Sequence, residues 1–326
     1  MYKLRNWIDI NKINWNNLAL NPNAIHLLES NQTKINWDML SLNPNAIDIL
    51  YKNIDKIDWT ILSKNPNAVH LLQKKIVKRK WHSLLNNIFE FILSLFFSKN
   101  NDEIDWNWYW FWLSTNQNAI HILEKNNDKI NYKGLSYNQS AIHILSKNMD
   151  KIDWDLLSLN TNAIPLLEKN MDKINWDLLS LNPNAIPLLE KNMDKIYWYN
   201  LSNNPNGIDL IEKNMDEIPI NWDGLSLNPN AIHFLEKNMN EINWYNLSYN
   251  PNAMMLLEKN KDKINWDVIS QNPSIFEIDY EALEKRCNIY KEELIKKALH
   301  PSIIKRLLNH PDLKDKDLDY ILDNCF

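Results

Sequence analysis

Glycine is almost missing from this chain, with three in 326 residues. Phosphate-cradling loops of the Rossmann and P-loop kinds need several glycines at fixed offsets, so both are excluded. The G-x-S-x-G nucleophile elbow is excluded on the same ground. Cysteine is nearly as scarce. Cys287 and Cys325 are the only two, which rules out a disulfide scaffold and leaves reduced thiols in an intracellular compartment as the expectation. Long apolar runs are lacking as well. The most apolar stretch, Ile88 to Phe97, carries Glu90 and falls well short of the roughly 20 apolar residues of a membrane span. An excess of positive charge is also absent. Lys and Arg number 36 against 41 Asp and Glu, for a net charge of −5, whereas nucleic-acid binding normally needs a basic surface to displace counterions. The cluster Lys74, Lys75, Lys78, Arg79 and Lys80 is too short to alter that balance. Met1 to Ile10 is polar and of mixed charge, unlike a signal peptide, so secretion is not expected.

What the chain does have is a period. Trp15, Trp37, Trp59 and Trp81 are each 22 residues apart. After an insertion the count resumes at Trp110, Tyr132, Trp154, Trp176 and Trp198, and after a two-residue insert at Trp222, Trp244 and Trp266. A fixed period of this length predicts a solenoid whose units bury their apolar faces only against their neighbours. In the type unit, Ile174 to Lys195, one apolar cluster is Trp176, Leu178 and Leu179 and the other is Ala185, Ile186, Leu188 and Leu189. Spacings of three and four predict two short helices, each too short to be stable alone. The fold expected is therefore all-α: an elongated, curved α-solenoid of about a dozen short helical repeats, with helical caps.

Local chemistry sets the expected boundaries. Asn or Asp before the aromatic, as at Asn175 and Asp153, caps the leading helix. The trailing helix is expected to start after Asn184, because a start at Pro183 would put Pro187 in the helix interior. It is expected to end at Lys191-Asn192, with Asn in the left-handed conformation of a helix stop. An unbroken asparagine column runs from Asn21 through Asn43, Asn65, Asn87, Asn116, Asn138, Asn160, Asn182, Asn204, Asn228 and Asn250 to Asn272. It reads as an internal hydrogen-bonding device for turn amides and carbonyls. The tryptophan column reads as core.

Residues 1–273 are expected to form the repeat domain, with a divergent unit and insertion at 81–109. The aromatic insert there, including Trp106, Trp108, Trp110 and Trp112, reads as either a docking site or the packing of a bend. Trp7, Ile8 and Ile10 are expected to cap the first repeat. Residues 274–326 are expected to be a charged C-terminal helical cap, with helices at Tyr280–Cys287, Tyr290–Leu299 and Pro301–Leu308.

No constellation carries catalysis. His26, His70, His121, His143 and His233 share a column with Asp48 and Asp209, but stacked repeats separate equivalent side chains by about 10 Å. A metal ion needs ligands at about 2 Å, so no metal site is expected. Glu168, Glu190, Glu212, Glu236 and Glu258 sit beside lysines as solvated charge, and the serines (Ser158, Ser180, Ser202) repeat without a histidine in register. Neither catalytic residues nor a cofactor are expected.

The type repeat resembles leucine-rich-variant units, which also carry N-P or D-P turns and alternate an α-helix with a 3₁₀ helix. The recurring DKINWDLLSLNPNAIPLLEKN resembles the tandem repeats of uncharacterised proteins from giant amoeba-infecting DNA viruses of the mimivirus group. The stretch DYEALEKRCNIYKEELIKKALHPSIIKRLL, Asp279 to Leu308, resembles the tail that closes such arrays. The resemblance implies a viral origin, and a location in the host cytoplasm or the virion, without implying an activity. The expected function is a monomeric, non-enzymatic scaffold that binds a viral or host protein through variable repeat columns. Candidate contacts are His26, Asp48, His70, His121, His143, Asp209, His233, Tyr199 and Tyr245, offered on one face. Alternatives are a structural or assembly component of the virion, or an adaptor that recruits host proteins.

Overall fold

The computed structural model describes residues 2–73, 106–298, 300, 302 and 305. It is mostly helical, with many short helices packed in sequence. The helical repeat class expected from the period is what is observed. The residues form two compact units, Arg5–Ile275 and a second made of Met1–Leu4 with Phe276–Phe326.

In the repeat unit, most turns of the array have a leading α-helix, a trailing α-helix and a short 3₁₀ turn. The type repeat runs through Trp176–Leu179, the 3₁₀ turn Pro183–Ala185, the helix Ile186–Glu190 and the 3₁₀ turn Met193–Lys195. The leading helix is capped as its sequence predicts: the Asn175 side chain accepts from the Leu178 amide at 3.1 Å, and Asp153 does the same for Leu156 at 2.9 Å.

The trailing helix differs from expectation at both ends. Its N-cap is Ala185, with no side-chain cap, which places Pro187 in the first turn, where its missing N–H costs nothing. Asn182 instead caps the 3₁₀ turn before it by accepting from the Asn184 amide. Asn184 is thereby freed to donate across the repeat boundary to the Thr161 carbonyl at 3.0 Å. At the other end no described residue has a positive φ. Asn192 stays at φ −136° and closes the helix by donating its side-chain amide to the Leu188 carbonyl at 2.8 Å. A side-chain donor thus satisfies the orphan carbonyl that a left-handed residue would otherwise help to satisfy.

The core is aliphatic. Leu179, Ala185 and Leu189 are fully buried, with Ile174 and Leu188 nearly so. The tryptophans are less buried than a core column would be. Trp15, Trp37, Trp154, Trp176, Trp198, Trp222, Trp244 and Trp266 are half-buried, whereas Trp59 and Trp110 are buried. Most of these rings are covered in part by a lysine from the 3₁₀ turn that precedes the next aromatic of the column, a feature the sequence alone did not reveal. Lys34 stands over Trp15 at 4.3 Å, Lys56 over Trp37 at 4.5 Å and Lys173 over Trp154 at 4.8 Å. An ammonium over an indole face is favourable, and its alkyl stem covers apolar surface while its head stays wet.

The asparagine column is the internal device expected of it. Asn182 donates to the Ser158 and Asn160 carbonyls at 2.9 and 3.1 Å, and every following rung does the same. The serines reinforce it. Ser158 Oγ donates to the Trp154 carbonyl and accepts from the Asn175 amide of the next repeat.

This pattern does not stop at the last repeat. Asn21 donates to the Ser270 and Asn272 carbonyls at 3.2 and 2.8 Å, Asn23 donates to the Pro273 carbonyl at 3.0 Å, and Ser270 Oγ accepts from the Asn14 amide at 2.9 Å. Lys12 lies over Trp266 at 5.0 Å. These are the bonds of an ordinary repeat boundary, made between residues about 250 apart in sequence. The repeat array therefore closes on itself, and the open, elongated solenoid with a capped first repeat is corrected. Trp7 lies beneath Lys261 of the last repeats at 5.8 Å.

Closure has a second surprise. Asn116 donates to the Asn65 carbonyl at 3.0 Å, and Asn118 to that of Pro66 at 2.9 Å. No rung stands between Asn65 and Asn116, so the ladder among the described residues has eleven rungs, from Asn21 to Asn272. Trp81, Asn87 and the basic cluster at 74–80 lie outside the described residues. The aromatic segment after them is the helix Trp106–Thr115, with Tyr109, Trp110 and Leu113 buried, Trp108 exposed, and Trp108 stacked on Trp112 at 6.2 Å.

The second unit pairs Tyr2–Leu4 antiparallel with Phe276–Ile278, a small sheet that no sequence signal announced. One continuous helix, Tyr280–Ala298, replaces the two expected there. Asn288 and Ile289 at the expected break are weak helix formers but do not break a helix. The third expected helix lies largely outside the described residues.

Candidate functional site

Successive leading helices pack directly on one another, as Trp222–Leu227 does on Trp244–Tyr249, whereas the trailing helices are chiefly in contact with their own leading helix or an adjoining 3₁₀ turn. The approach is close at Gly134, where an added Cβ would lie 2.5 Å from the Phe111 carbonyl oxygen of the preceding repeat. In a closed array, the elements that approach most closely form the inner circumference.

All nine candidate contact residues are exposed. They fall in two columns, as the spacing predicts. Tyr199 and Tyr245 are the second residues of leading helices (Trp198–Leu201 and Trp244–Tyr249). The other seven are the second residues of trailing helices, as His26 is in Ile25–Glu29 and Asp48 in Ile47–Lys52.

Several histidines are engaged with their neighbours. His143 Nε2 lies 3.3 Å from Glu124 Oε1 and His233 Nε2 lies 2.8 Å from Glu212 Oε1, each bridging to the preceding repeat. His121 meets Gln73 in the same way, and His26 pairs with Glu29 of its own helix at 3.6 Å. His70, Asp48 and Asp209 complete the column. Such exposed pairs contribute little to stability, at most about 1 kcal/mol each.

The histidine column includes one concavity. Pro205, Asn206, Ile208, Asp209, Asn230 and His233 line a cavity of about 350 Å³ at a repeat boundary. It lies in the part of the array that carries the two-residue insert before Trp222. Asp209 and His233, neighbours in the column, come together there. Among the described residues, no group of three or more His, Cys, Asp or Glu side chains is placed to hold a metal ion, and no helix is long and apolar enough to cross a membrane.

The leading-helix column is aromatic and acidic in its last third. Tyr199, Asp223 and Tyr245 follow one another in consecutive repeats, and both tyrosines are about half exposed. Tyr197 packs near Tyr199 at 6.3 Å, and Tyr245 meets Tyr249 edge-on at 5.8 Å. The hydrogen bond with Tyr245, aided by partial burial, holds the Tyr249 phenol above its ordinary value. The Asp223 carboxylate is held by the Asn243 side-chain amide at 2.8 Å. Here sequence reasoning singled out the two tyrosines as variable positions but missed the lysine layer beside them. Its signal was available, since a lysine precedes most of the tryptophans by three residues.

No family model, curated protein or solved structure matches the chain.

Proposed function

We propose that this chain is a non-enzymatic scaffold, leucine-rich-variant-like in its repeat geometry, that binds a protein partner through the variable positions of its array. One observation carries the reading. The asparagine and serine columns are buried and bonded across repeat boundaries, and the leucine and alanine positions beside them are buried, whereas all nine candidate contact residues are exposed. A framework satisfied by its own ladder leaves its exposed columns free to differ, and differences on a rigid support are how repeat proteins acquire partners. The resemblance to giant-virus repeats supports a viral partner or one from the amoebal host.

The test is affinity capture of the tagged chain from infected amoebal lysate, beside a variant with His121, His143 and Tyr199 changed to Ala. A partner lost from the variant supports a binding scaffold. Equal capture by both chains rejects these columns, and no partner at all rejects the reading.

A further inference from the structure

Among the half-buried tryptophans of the column, the lysine layer is interrupted at two neighbours, Trp198 and Trp222. Seven aromatic rings of the column, Trp15, Trp37, Tyr132, Trp154, Trp176, Trp244 and Trp266, each carry, at 4.3 to 5.8 Å, the lysine three residues before the next aromatic of the closed column. That lysine ends a 3₁₀ turn, as Lys195 ends Met193–Lys195 and Lys263 ends Lys261–Lys263. Over Trp222 the same register position is Glu241, which ends Met239–Glu241. Over Trp198, after the two-residue insert, it is Pro219. Among the described residues, no cation stands over either ring.

The charge balance changes at the same place. Between Asp209 and Glu241 there are seven carboxylates and two lysines. That segment alone holds a net charge of −5, equal to the net charge of the whole chain, so the remainder is balanced. Phe234 is stacked on Trp222 at 5.3 Å. Exposed Tyr199 and Tyr245 flank Asp223, whose carboxylate is fixed by Asn243, two residues beyond Glu241.

We infer that this stretch binds a lysine or arginine side chain from a basic segment of a partner protein. The incoming cation takes the place over Trp222 that the chain's own lysine takes elsewhere, with Glu241 and Asp223 as its counter-charges and Tyr199 and Tyr245 as its aromatic walls. The physical basis is the one already realised in the seven covered repeats. An indole face attracts a cation, and here the intramolecular cation has been exchanged for a carboxylate that strengthens the attraction for an external one. The inference deepens the scaffold reading by naming the chemistry of the partner, and it rests on that reading for its biological setting.

The test uses the full chain and two labelled probes, octa-lysine and octa-arginine, titrated by fluorescence anisotropy. Glu241→Lys restores the lysine layer and should weaken binding about tenfold, the effect of about one cation–π contact with its charge. Its unfolding midpoint should be no lower than that of the parent, which separates loss of the site from loss of the fold. Glu236→Lys makes the same charge change on the exposed trailing helix of the same repeat and should alter affinity by no more than about twofold. Absence of saturable binding to the parent chain overturns the inference, and so does an equal loss in both variants. The peptide titration decides this inference and the capture experiment decides the scaffold reading. A chain that captures a partner but ignores both peptides defeats only the first.

Discussion

Replacing Asn21 by alanine separates a closed array from an open one. In an open array Asn21 would belong to the terminal repeat, its side-chain amide would face solvent, and only its local bond to the Asn23 amide would be lost. In the structure Asn21 is fully buried and donates to the Ser270 and Asn272 carbonyls at the far end of the repeats. Alanine removes all three bonds. At about 1 kcal/mol for each, the cost is about 3 kcal/mol, and more if the two carbonyls are left dry. Asn182→Ala provides the internal calibration, since it removes the same three bonds at a boundary between sequential repeats. Urea unfolding followed by circular dichroism should show equal falls in midpoint for the two variants at unchanged slope. A cost below about 1 kcal/mol for Asn21→Ala, beside about 3 kcal/mol for Asn182→Ala, would refute closure.

Other expectations follow from the same packing. Leu179→Ala, at a fully buried position, should cost about 2–5 kcal/mol. Trp176→Ala, half-buried beneath Lys195, should cost about 2 kcal/mol, below the range for a fully buried tryptophan. Equal unfolding midpoints for these two would restore the tryptophan column to the core. Gly134→Ala should cost about 1–3 kcal/mol, because its Cβ meets a backbone oxygen that cannot rotate away; a neutral result in thermal unfolding would show that the leading helices can separate there. Burial pushes the Tyr109 phenol above its ordinary value of 10.0, so the folded chain keeps a proton that the unfolded chain releases. That contribution is complete below about pH 10 and is lost as pH rises further. Tyr109→Phe should therefore flatten the alkaline fall of the unfolding midpoint, and an unchanged profile would mean that other groups set it.

Much of this architecture was legible in single residues. Asn175 and Asp153 announce the start of their helices because a short polar side chain beside an apolar cluster has one efficient use, capping. The asparagine column announces itself because a polar residue kept at a fixed register must be satisfied inside the stack. The trailing helix was less legible. Asn182 and Asn184 are chemically identical, and which one caps and which one reaches across the boundary depends on a neighbouring carbonyl that the local sequence does not contain. The same is true of Asn192, where a side-chain bond to Leu188 serves in place of a left-handed backbone.

The candidate contact residues were legible as variable positions, and all of them are exposed. Their division between the leading and trailing helices was legible too, because spacing within a repeat places each residue on its helix. The basis for a cationic partner was half legible. Glu241 in a lysine register is visible in the sequence, but its meaning depends on the lysines lying over the aromatic rings.

The sequence by itself determined the period, the aliphatic core, the leading-helix caps and the columns that stay buried, because each is fixed by contacts within one repeat or with its immediate neighbour. Only the tertiary structure decided that the array closes and that Asn65 meets Asn116 directly. Closure is the sum of small rotations from one repeat to the next. No single repeat encodes that sum, and it becomes visible only where Asn21 finds the carbonyls of Ser270 and Asn272.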